Sequence, residues 1–188
     1  MKQFDRLRIG LTALATLAIW SLLIWQHFHD GVPAHYLFQD SDMPRMSNWF
    51  GGLLLPVLTW GLLGLSRRRV MATDSGLKPV IIGLVAGLAF GVGMSVTFFS
   101  GYALITSYLF FSLLPLALIL PVYRPECLLG FILGMSTAFG AILPTMFGFI
   151  MALATFLIHR FIGLPLMRLA GLRRRRNDSA EPRTSPHA

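Results

Sequence analysis

The chain reads as an all-α integral membrane protein: six transmembrane helices arranged as three hairpins, with both termini in the cytoplasm. Three observations predict this. Apolar residues make up 55% of the 188 positions and charged residues only 13%, about half of what a soluble domain uses to cover its surface. The apolar residues fall in blocks with no charge inside them, the pattern of membrane spans. Fifteen of the sixteen Lys and Arg residues fall where this topology puts loops and ends in the cytoplasm; Arg45 is the exception.

The first span is expected over about 9–25. Lys2, Arg6 and Arg8 precede it and hold its start inside. A cleaved secretory signal is the competing reading, with small residues at Val32-Pro33-Ala34. The apolar run is longer than a signal core and ends well before that site, so a retained anchor is favoured. Gln26 to Asn48 then forms the one sizeable outer loop, flanked by Trp25 and Trp49 at the interface. Its apolar middle, Val32 to Phe38, suits an interfacial position.

A second span over 49–65 stops at Arg67-Arg68-Arg69. Val80 to Val122 carries no charge over 43 residues, and one crossing needs only about 20. Spans over 80–99 and 102–122 follow, turning near Ser100-Gly101-Tyr102. Tyr123-Arg124-Pro125-Glu126 forms a tight inner loop. A last pair over 128–142 and 144–162 turns between Gly140 and Thr145. This pair is short, which implies tilt or local thinning of the bilayer. One long helix broken at Pro144 is the alternative, but it would put the arginine-rich tail outside. Gly163 to Leu172 reads as an interfacial stub closing the domain at 1–172. Residues 173–188 read as a basic, disordered tail.

The sharpest motif is Gly83, Gly87, Gly91 and Ser95. Spacing by four places them on one helix face, where a neighbouring backbone can approach closely. Gly130, Gly134 and Ala138 repeat the pattern on the fifth span, which runs the same way. A packing seam between these helices, or between subunits, is expected. An absence is equally informative: apart from Arg160 at the inner end of the last span, no Asp, Glu, Lys or Arg lies within a span, which argues against a proton-driven antiporter. Hydroxyls at Ser95, Thr97, Thr106, Ser107, Ser112, Ser136, Thr137 and Thr145 are expected mostly to bond carbonyls one turn back.

Two clusters are candidate sites. The outer loop holds His27, His29, Asp30 and His35, residue types that ligate a divalent metal or copper at the outer face. Their spacing matches no metal signature. Arg67, Arg68, Arg69 and Arg173, Arg174, Arg175 and Arg176 are expected to meet anionic headgroups on the cytoplasmic side. Asp40-Ser41-Asp42 resembles a sugar-nucleotide motif but would face the wrong side. Among phosphate loops, dinucleotide fingerprints and zinc-protease motifs, none is present. The single cysteine, Cys127, excludes an intrachain disulfide.

The sequence therefore predicts a bacterial inner-membrane protein, with anionic lipids and no nucleic acid among its partners. A small transport or channel-like protein, alone or as a homo-oligomer, is the leading expectation. A structural or assembly partner of a membrane complex and a metal-binding protein or enzyme of the outer loop are the alternatives.

Overall fold

A computed structural model describes residues 2–29, 34–36, 45–47, 49–73 and 76–169. They form α1 (Lys2–His29), β1 (Ala34–Tyr36), β2 (Arg45–Ser47), α2 (Trp49–Thr73), α3 (Lys78–Phe99), α4 (Ala103–Ile119), α5 (Pro125–Phe139) and α6 (Ile142–Ile158). A π-helical segment (His159–Gly163) and α7 (Leu164–Leu169) complete the order. The departure from a purely helical chain is a short antiparallel ladder in the outer-loop sequence, with Ala34 opposite Ser47, His35 opposite Met46 and Tyr36 opposite Arg45.

Four helical stretches are long and apolar enough to cross a membrane: Lys2–His29, Trp49–Ala72, Lys78–Phe99 and Ile142–Met167. Two shorter apolar helices, Ala103–Ile119 and Pro125–Ser136, accompany them. Large apolar side chains stand exposed along these helices, including Leu17, Leu53, Ile82, Leu104 and Phe161. A water-soluble monomer does not display such a surface; it suits helices long and apolar enough to cross a membrane.

Helices run beyond their apolar blocks. The first begins at Lys2 and ends at His29, wider than the 9–25 apolar run. The second continues through its arginines to Thr73. Charged residues propagate a helix readily, so helix bounds and apolar bounds differ. Residues 163–169, part of the expected interfacial stub, continue α6 helically through the π segment.

α1 lies antiparallel to α2. A Cβ at Gly52 would sit 3.0 Å from Leu23. Farther along, Arg8 Nε donates to the Trp60 carbonyl at 3.0 Å, its guanidinium lies 3.7 Å above the Trp60 ring, and Arg67 pairs with Asp5 at 2.9 Å. Leu23, Leu63, Leu129 and Ile132 are fully buried, so the core lies where α1, α2 and α5 meet.

α3 and α5 lie parallel and nearly in backbone contact. A Cβ on Gly87 would fall 2.1 Å from the Cys127 carbonyl oxygen, and one on Gly91 2.6 Å from that of Phe131. From the other side, a Cβ on Gly130 would fall 2.1 Å from the Leu84 carbonyl oxygen and one on Gly134 2.6 Å from that of Leu88. No side chain fits these distances. Ser95 Oγ lies 2.9 Å from the Gly91 carbonyl and 3.4 Å from that of Gly134 across the seam. Ala138 is half-buried farther along α5.

Glycine with positive φ makes both tight turns: Gly101 (φ 76°) between α3 and α4, and Gly140 (φ 71°) between α5 and α6. A side chain would strain either position. Pro144 falls in the first turn of α6, where its missing N–H costs nothing. It starts a helix there and breaks none.

Candidate functional site: a buried ion pair and an apolar chamber

Glu126 sits in the first turn of α5, behind Arg124 and Pro125. A carboxylate complements the positive end of the helix dipole at that position. Its side chain is fully buried. Ser66 Oγ donates to Oε2 at 2.9 Å, and Arg69 pairs with Oε1. The space for Glu126 comes from Gly83: a Cβ there would lie 2.7 Å from Glu126 Cγ. The first glycine of the α3 stripe thus seats a carboxylate, whereas Gly87 and Gly91 seat backbone.

The sequence presented Glu126 as a loop charge. It is instead a buried acid clamping α2 to α5. A basic residue near the end of α2 was the available signal, but its partner is 57 positions away. The arginine triplet divides accordingly. Arg69 serves Glu126 and Arg67 serves Asp5, while Arg68 is exposed.

A second buried polar contact follows from a proline. Pro121 has no N–H, so the carbonyl of Ala117 loses its i+4 helix partner. His159 Nδ1 takes that place at 2.8 Å. The carbonyl only accepts, so Nδ1 carries the proton. The π segment begins at His159 and brings Gly163 against the α4 backbone, where a Cβ would lie 2.5 Å from the Leu118 carbonyl. Tyr123 packs on Phe156 and His159, fixing the α4–α5 connection to the same end.

These contacts frame a chamber between α3, α4, α5 and α6, with a volume of about 470 Å³. Lys78, Arg124 and Glu126 lie at one end of its lining; Phe90, Phe131 and Gly148 lie deepest. The intervening surface is overwhelmingly apolar, with Ile82, Ala86, Leu116 and Met151 among its walls. Thr155 also lines it, but its hydroxyl is 2.7 Å from the Met151 carbonyl, so it offers the interior little polarity. From Lys78 to Phe90 the wall rises about 18 Å at helical pitch, more than half of an about 30 Å hydrocarbon layer.

The chamber is open sideways. Ile82 is 68% exposed, Leu120 49% and Leu116 38%, yet all three line it. Thr106 Oγ1 donates to Thr97 Oγ1 at 3.0 Å near the α3–α4 turn. Away from that turn the two helices leave a gap.

The small hydroxyls mostly turn back onto their own helices. Seven of the eight singled out, all but Thr137, whose side chain is not among those described, lie within hydrogen-bond distance of a carbonyl three or four residues back on their own helix.

The outer-loop metal candidates are only partly visible. α1 continues through His29, so His27 and His29 stand two positions apart on a helix and project to different sides. His27 packs against Trp49; His29 stacks on Trp25, with Nδ1 3.0 Å from the Trp25 carbonyl. Asp30 lies outside the described residues, as do Arg173 to Arg176, and of His35 only the backbone is described. Among the described residues, no three His, Cys, Asp or Glu side chains are placed to hold one metal ion.

No protein-family model, no curated protein and no solved structure matches the chain.

Proposed function

We propose that this is a transport-type protein of a bacterial inner membrane, and that its cargo occupies the chamber between α3 and α6. In this reading the chain crosses the bilayer six times as three hairpins, with both ends in the cytoplasm. The distribution of Lys and Arg supports that orientation. Helices α4 and α5 are 17 and 15 residues long, about 25 and 22 Å. The bilayer thins around them, or the α4–α5 connection sits within it.

One observation carries the reading: an apolar chamber reaches past mid-helix and is open between α3 and α4. A solid bundle would serve a purely structural role as well. The lining also selects the cargo. A hydrated ion would lose its water against apolar walls with no compensating partner. Cargo that dissolves in lipid crosses the lateral gap at little cost.

A photoreactive alkane in nanodiscs tests this. Adducts are expected on Phe90, Leu116 and Met151, and Ala152→Phe, which fills the chamber, should reduce them severalfold. Adducts spread evenly over lipid-facing positions such as Leu14 and Val57, and unchanged by Ala152→Phe, would contradict it.

A further inference from the structure

We infer that the chamber takes a single-chain amphiphile with an anionic head, drawn sideways from the cytoplasmic leaflet. The inference rests on the chamber reading above and adds the identity of the occupant.

Charge at the mouth is the first argument. Three charged side chains stand there: Lys78, Arg124 and Glu126. The Glu126 carboxylate is already matched by Arg69 and Ser66. Among the described residues neither Lys78 nor Arg124 forms an ion pair. Among the described residues the rim therefore presents two cations to whatever occupies the chamber, and an anion there meets no uncompensated carboxylate. An amphiphile's charged head stays at this rim while its tail passes inward.

Shape and depth are the second argument. Beyond the rim the walls are apolar, so the interior accepts a hydrocarbon tail and offers a second polar group nothing. Its about 18 Å of helical rise matches one leaflet of about 15 Å. A volume of about 470 Å³ lies in the lower half of the range for small-molecule sites, about 300–1,000 Å³. That favours one chain over two. The gap at Ile82, Leu116 and Leu120 faces lipid, so the tail slides in laterally without crossing water.

Competition against a photoreactive palmitate in nanodiscs decides the matter. Unlabelled palmitate, hexadecanol and dipalmitoyl phosphatidylglycerol are compared at equal mole fraction. Palmitate should displace the probe from Met151 and Phe90 at least about tenfold better than hexadecanol. The Lys78→Ala/Arg124→Ala protein should lose about thirtyfold in palmitate competition and little with hexadecanol, as two charges near a membrane surface imply. On the unaltered protein, added salt should weaken palmitate alone, which guards against a variant that fails to fold. Equal competition by hexadecanol overturns the anionic head while leaving the chamber as a site. Equal competition by the two-chain lipid overturns the single chain. If nothing displaces the probe, the chamber reading itself falls.

Discussion

Glu126 is the residue on which the basic end turns. Removing the carboxylate breaks its pair with the partly buried Arg69 and its bond from Ser66, and breaking a buried pair costs about 3–5 kcal/mol. Glu126→Ala should therefore lower the thermal midpoint in detergent or nanodiscs strongly. Arg69→Ala should do the same, and the double variant should lose clearly less than the two single losses added together. Simple additivity would show that the two side chains do not act as a pair. His159 makes the complementary case without charge. His159→Ala strands the Ala117 carbonyl that Pro121 already deprived of its helix partner, at about 1–3 kcal/mol. An unchanged midpoint would mean that this carbonyl finds another donor.

The α3–α5 seam has a different origin, since burial of apolar area drives little helix association within lipid. Close backbone approach and dispersion hold it, and both need the missing side chains. Gly87→Ala and Gly130→Ala each drive a methyl to 2.1 Å from a carbonyl oxygen. Each should destabilise the fold by about 1–3 kcal/mol or more, because the obstacle is backbone. Gly93 lies on the same helix with nothing within 4 Å of its would-be Cβ, so Gly93→Ala should stay within about 0.5 kcal/mol. Equal effects at Gly87 and Gly93 would refute the seam as the cause. The small-residue stripes were legible in the sequence because a helix face is a local, periodic property. So were the turns at Gly101 and Gly140, which fall where an apolar block is too long for one crossing. Glu126 was not legible: flanked by Arg124 and Pro125, it looks like an ordinary loop charge, and burial depends on Ser66, Arg69 and Gly83 arriving from two other helices. Nor was the chamber, which exists because α4 parts from α3 beyond Thr97 and Thr106. No periodicity in either helix encodes that separation.

Taken whole, the described molecule has a charged end and a flank that parts. Asp5, Arg8, Arg67, Arg69, Arg124 and Glu126 gather at one end through contacts between α1, α2 and α5. The chamber mouth lies at that same end. If that end faces the cytoplasm, the rim meets the anionic leaflet, and the amphiphile reading follows from the orientation. Single cysteines at Tyr102, Leu143, Tyr123 and Arg176, introduced one at a time into a Cys127→Ser protein and labelled in spheroplasts with a membrane-impermeant maleimide, measure this most directly. The six-span account predicts labelling at Tyr102 and Leu143 in intact spheroplasts, and at Tyr123 and Arg176 only after the membrane is opened. Labelling of Tyr123 or Arg176 from outside would contradict it.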